Sequence, residues 1–209
     1  MLISDQHRFA FIHVPKTGGD AISHALRPYA DGVDASQGED KHWNARRTRD
    51  TLFGEDHGRR WGAYFSFGVI RNPWEQVHSD YHFCRQSDDP GESAGSWRFK
   101  VLRSRELSFA EFVVEICGEH GCGGVGLTQH YLCNREGQQM VTRILRHETL
   151  QAEWPAVCAA IGLPTLELPR VNVTRNRPDY RDEYDDRSRF LVGRRFADDV
   201  ERFAYTFGG

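Results

Sequence analysis

The stretch Phe9-Ala-Phe-Ile-His-Val-Pro-Lys-Thr-Gly-Gly-Asp20 constrains this chain more than any other. Phe9 to Val14 is a short apolar run that predicts a buried strand, and Pro15-Lys16-Thr17-Gly18-Gly19 follows without a spacer. Ala21, Ile22, Ala25, Leu26 and Tyr29 then recur at helical spacing. A strand, a glycine-bearing loop and a helix in succession can build an anion site. Glycines let the backbone approach an oxyanion, the helix start presents N–H groups without intrahelical partners, and a lysine adds a full charge. The same letters would also serve a tight strand-to-helix turn with no ligand. The order differs from the nucleotide P-loop, which places a lysine and a hydroxyl residue after the glycines. Here Lys16 precedes Gly18 and Gly19.

A second unit of the same kind begins at Tyr64-Phe-Ser-Phe-Gly-Val-Ile70, aromatic, β-branched and free of charge, as a strand covered on both faces should be. It runs into Arg71-Asn-Pro-Trp74, where Pro73 suits the first turn of a helix. Trp74, Val77, His78 and Tyr81 form one apolar stripe on that helix, which places His78 in the packing, and Ser79 lies inside it. Ligands of open α/β sheets sit at the carboxyl ends of strands. The Lys16 loop and Arg71 would both be there. The plainer readings are a helix-end ion pair for Arg71 and a solvent-facing hydroxyl for Ser79.

Further elements follow from pattern. Lys41-His-Trp-Asn-Ala-Arg-Arg-Thr-Arg49 is a basic, partly helical segment: either a solvated face or a wall toward an anion. Residues 86–106 are polar, with Asp88 to Gly95 at the centre, and read as a mobile loop of the kind that covers an acceptor. Ser108-Phe-Ala-Glu111 is a capping box opening a helix through Ile116. Met140 to Leu145 predicts a third strand, and Thr149 to Ile161 a helix closed by Gly162, bent or split near Pro155. Phe190, Leu191, Arg194 and Arg195, then Val200 and Phe203, predict a final amphipathic helix. Gly121-Cys-Gly-Gly-Val-Gly126 fits a dinucleotide fingerprint by letter, but it follows a helical segment and reads as a loop.

With 209 residues the chain is expected to form a single domain over 1–209. A net charge of −3 gives no global case for nucleic acid, so any anion site must come from local clustering. No stretch is long or apolar enough to span a bilayer, and the N-terminus lacks the pattern of a signal peptide. Five cysteines with no Cys-x-x-Cys pair argue against a disulfide framework and for a cytoplasmic location. Cys117, Cys122, Cys133, His120 and His130 match no zinc spacing, and no metal is expected.

The two donor-like motifs, Pro15-Lys-Thr-Gly-Gly19 and Arg71-Asn-Pro-Trp with Ser79 and Tyr81, resemble the 5′-phosphosulfate loop and 3′-phosphate element of sulfotransferases. Those enzymes use 3′-phosphoadenosine-5′-phosphosulfate (PAPS) and release PAP. The order Gln129-His-Tyr-Leu132, Ile144-Leu-Arg-His-Glu148, Asn172-Val-Thr174, Tyr180 and Phe203-Ala-Tyr-Thr-Phe207 is similar to the carbohydrate-type, family 2 enzymes. The resemblance covers nearly the whole chain. It implies an α/β, P-loop-like three-layer fold with a central parallel sheet flanked by helices. It also implies a donor site of Pro15, Lys16, Thr17, Gly18, Gly19, Asp20, Ala21, Arg71 and Ser79. The backbone of Thr17, Gly18 and Gly19 would cradle the 5′-phosphosulfate. Lys16 would contact the oxygen between phosphate and sulfate, and Arg71 and Ser79 would hold the 3′-phosphate.

An acceptor hydroxyl also needs a base, for which histidine is suited near pH 7. His42 matches the family segment that carries a histidine near the acceptor; a surface histidine is the plain alternative, and Glu75 is a second candidate base. Two departures stand out. Asp20-Ala21 occupies positions where relatives carry hydroxyl residues, and Gln76 stands where relatives often have a basic one. The expected function is sulfuryl transfer from PAPS to a hydroxyl of a small-molecule or glycan acceptor. The rivals are an inactive PAPS/PAP-binding protein of the same fold and a kinase-like phosphotransferase.

Overall fold

The computed structural model describes residues 1–35, 39–87, 96–118, 127–171 and 177–209. The Asp88–Gly95 loop, the Gly121–Gly126 motif and Asn172–Thr174 lie outside the described residues. The strands are β1 (Leu2–Ser4), β2 (Phe9–Ile12), β3 (Val33–Asp34), β4 (Phe65–Ile70) and β5 (Arg143–Arg146). The helices begin with α1 (Gly19–Leu26), α2 (Ala45–Leu52), α3 (Pro73–Gln86), α4 (Ser96–Glu106) and α5 (Phe109–Cys117). They continue with α6 (Thr128–Leu132), α7 (Leu150–Ala160), α8 (Tyr180–Glu183), α9 (Asp186–Arg195) and α10 (Ala197–Phe203). Among the described residues no helix is long and apolar enough to cross a membrane. The chain divides into two compact units, the first formed by Met1–Arg71 with Gly126–Asn172, the second by Asn72–Val125 with Val173–Gly209.

The first unit holds the sheet, in the order β3-β1-β2-β4-β5. β2, β4 and β5 are parallel, with Ile12 opposite Gly68 and Ile70 opposite Arg146. The expected central parallel sheet is there, but the sheet as a whole is mixed, because β1 pairs antiparallel with both β2 and β3. Both faces are covered, which explains the nearly unbroken apolar runs of β2 and β4. On one face Phe9, Phe11, Phe67 and Val69 meet Ile22 and Leu26 of α1 and Trp154, Val157 and Cys158 of α7. Phe11 and Phe67 lie 5.1 Å apart and Phe67 and Trp154 6.4 Å apart, centroid to centroid. The opposite face buries Met1, Ile3 and Ala10 against Phe53 and Tyr64. Gly68 is open toward α6: a Cβ there would lie 2.5 Å from Leu132 Cδ2, so glycine is what permits this approach.

Three expectations are adjusted. The loop expected over 86–106 is helix in its second half, where α4 covers Ser96–Glu106. The third strand starts at Arg143, after Ser66 and Thr142 have exchanged hydrogen bonds of 3.2 and 3.0 Å between backbone and hydroxyl. Helix α7 runs continuously through Pro155, with a 3-10 turn at His147–Thr149 before it and Gly162 (φ +69°) closing it.

The second unit is helical among its described residues. α3 packs against α4, α5, α8 and α9, and Tyr81 sits 5.3 and 5.1 Å from the rings of Phe109 and Phe112. Asn72 caps α3, accepting from Trp74 N at 3.1 Å and donating to the Thr206 carbonyl at 2.9 Å. The Ser108–Glu111 capping box forms as expected. The predicted single terminal helix is two helices, α9 and α10, broken at Phe196 (φ −108°, ψ 26°), which is buried and turns the chain.

Candidate active site

The turn between β2 and α1 is made by unusual backbone. Lys16 (φ 64°) and Gly18 (φ 85°) are both left-handed. For a lysine this conformation costs on the order of 1 kcal/mol, and such strain concentrates where a ligand is handled. Thr17 is buried and clamps the turn, its Oγ1 donating to the Val14 carbonyl at 2.9 Å. The two glycines are sterically required. A Cβ on Gly18 would sit 2.9 Å from His147 Cδ2, and one on Gly19 would sit 2.3 Å from His13 Cδ2. Gly18 caps α1 without any side-chain bond, so the first-turn amides face a turn built of backbone.

The parallel strands end in register, and that sets the rest of the site edge. Arg71 directly follows β4 and its Nη1 donates to the Lys16 carbonyl at 3.3 Å, tying the guanidinium to the loop. Arg146 is the last residue of β5, and His147, the next residue, abuts Gly18. Sequence reasoning used the Ile144–Glu148 run only as a point of family likeness. The close approach of His147 to Gly18 depends on the pairing of β4 with β5, which no local pattern announces.

Behind the loop lies a pair of histidines. His13 is buried, with Nδ1 3.4 Å from Ser23 Oγ and Nε2 3.9 Å from Asp20 Oδ1. His42 places Nδ1 3.0 Å from the His13 backbone oxygen, and the rings cross edge-on at 4.8 Å. A carbonyl only accepts, so His42 carries a hydrogen on Nδ1, and its neutral form offers the Nε2 lone pair. Burial pushes the pKa of His42 below its usual value and that of His13 well below it. Asp20, the acidic departure beside the loop, has Oδ1 2.5 Å from Lys41 Nζ. Its charge is matched at short range and is not left facing the turn.

Pro15, Lys16, Thr17, Gly18, Gly19, Asp20, Ala21, His42 and Arg71 thus all belong to the first unit. Ser79 belongs to the second, on α3, where it is buried and not the solvent-facing hydroxyl of the plainer reading. Glu75, the second candidate base, is engaged by Arg177 at 3.1 Å. His78 is packed as expected, but its contact with Glu183 was not foreseen, since the two residues lie 105 positions apart.

The fold and the sequence find matching relatives. The crystal structure of the mouse sulfotransferase SULT7A1 complexed with PAP superposes with a TM-score of 0.55 at 12% identity, over 95% of this chain and 86% of that one. At that identity the likeness speaks for the fold. No curated protein matches the chain. The model of the Sulfotransferase family, by contrast, matches residues 1–206. The chain therefore belongs to the sulfotransferase family, the enzymes that move a sulfuryl group from PAPS to an acceptor.

Proposed function

We propose that this protein transfers the sulfuryl group of PAPS to a hydroxyl of a carbohydrate-containing acceptor, with His42 as general base and Lys16 stabilising the leaving phosphate. The observation that carries this reading is the bond from His42 to the His13 backbone, only three residues before Lys16. It fixes the tautomer of a basic nitrogen at the residue that follows β2 and leads into the donor loop.

The loop fits the donor. Left-handed Lys16 and Gly18 turn the backbone so that amides at the start of α1 can meet a phosphosulfate, and Gly18 and Gly19 admit no side chain. In an in-line displacement the acceptor oxygen forms its bond to sulfur as the sulfur–oxygen bond to the phosphate breaks. His42 Nε2 takes the hydroxyl proton, and the Lys16 ammonium meets the negative charge growing on the departing phosphate oxygen. Groups that oppose charge developed in the transition state lower the barrier more than groups that only bind. Arg71, tied to the loop carbonyl, is assigned the 3′-phosphate; Ser79 keeps the same assignment from the family pattern alone. The carbohydrate assignment rests on likeness to the carbohydrate-type enzymes. Buried cysteines at Cys84, Cys117, Cys133 and Cys158 suit a reducing compartment and support a cytoplasmic location.

Calorimetric titration tests the donor assignment. PAP should bind more tightly than AMP, and Arg71→Ala should weaken PAP by about tenfold or more while changing adenosine 5′-phosphosulfate much less. Equal affinity for PAP and AMP would overturn the 3′-phosphate site. An acceptor screen tests the rest: turnover on phenols and none on glycans would sink the carbohydrate assignment. PAP binding without turnover on any acceptor would favour an inactive donor-binding protein.

A further inference from the structure

A second cluster of titratable side chains lies in the helical unit, outside everything used above. His78 and His82 are four residues apart on α3, so both rings leave the same face of the helix. Glu183, the last residue of α8, meets both: its Oε2 is 2.6 Å from His78 Nε2 and 2.5 Å from His82 Nε2. The rings lie 4.5 Å apart and cross at 65°. Two imidazole nitrogens and a carboxylate oxygen therefore converge on one point. The His78 side chain has no exposure, while His82 is 13% and Glu183 28% exposed, so the point is closed at its floor and open to water on the other side. The edge-on ring of Phe109, 5.3 Å from His78, adds an apolar wall.

Hydrogen bonding alone explains this arrangement poorly. It would direct two Nε2–H donors at a single carboxylate oxygen. A cation at the convergence point gives each of the three atoms a bond of its own. We propose that His78, His82 and Glu183 bind a divalent transition-metal ion, zinc foremost, with water completing a four-coordinate shell. Two imidazoles and one carboxylate are a donor set that zinc accepts, with bonds of about 2.0–2.2 Å. Such bonds require the ligand atoms to stand somewhat further apart than they do here, and the partly exposed Glu183 has room to swing back. The ion clamps α8 to α3, the helix that carries Ser79, and is structural. It takes no part in the proposed transfer, so the two readings stand or fall separately.

The test is calorimetric titration of metal-stripped, untagged protein with Zn²⁺, alongside the visible absorption of the Co²⁺ form. The wild type should take up a single ion per chain. His82→Gln and Glu183→Gln, both at partly exposed positions, should each weaken zinc by about tenfold or more and lose the cobalt band. His130→Ala, at an exposed histidine elsewhere, should bind as the wild type does. The absence of saturable zinc uptake, or unchanged uptake in both folded variants, overturns the proposal.

Discussion

For His42 as the proposed base, burial sets the working range. The ring is pushed below its usual pKa by desolvation, so it is neutral at pH 7, and the neutral form is the one that can accept a proton. The sign follows directly: kcat/KM should rise with pH as the ring loses its proton, and the midpoint of that rise should lie below the ordinary histidine value of about 6.5. His42→Asn should abolish that limb and cost roughly 10²–10⁴ in rate. A limb centred above neutrality, or one that survives the substitution, would assign the base elsewhere. Lys16 is argued differently, because its proposed role is to act on the leaving phosphate. Lys16→Ala should lower kcat by far more than it weakens PAP. Equal losses in the two quantities would make Lys16 a binding residue only.

The strand–loop–helix element makes its own demand. Gly19 must stay bare because His13 fills the space where a Cβ would go, and His13 is backed by the His42 ring. Gly19→Ala should therefore displace His13 and cost about 1–3 kcal/mol in urea unfolding, together with activity, because the His42 contact moves too. An unchanged unfolding midpoint would show that the loop yields freely. This element was legible from the letters because strand, loop and helix are consecutive, and so was the β4–α3 pair with Pro73 at the helix start. β1 was not. It has three residues, too few for a pattern, and it exists only through pairing with β2 and β3. The break at Phe196 was hidden because the apolar period carries on across it. The His42–His13 bond and the His78–Glu183 contact join residues far apart in sequence, so only the fold could reveal them.

For the molecule as a whole the net charge is −3, while the donor is a polyanion. In the proposed donor site the attraction comes from Lys16, Arg71 and the helix start, which only folding of the first unit brings together. A ligand held by groups that folding assembles stabilises the native state by RT ln(1 + [L]/Kd), about 2.7 kcal/mol at a hundredfold excess over Kd. For a chain of this length that should raise Tm by about 5–10 °C. AMP at the same concentration lacks the 3′-phosphate and should give a clearly smaller rise. The gain should appear locally as slower amide exchange in residues 9–26, the β2–loop–α1 segment, because the proposed donor contacts lie there. A rise in Tm with no protection of that segment would place PAP elsewhere on the molecule. The absence of any rise at saturating PAP would mean that the loop is a turn and not a donor site.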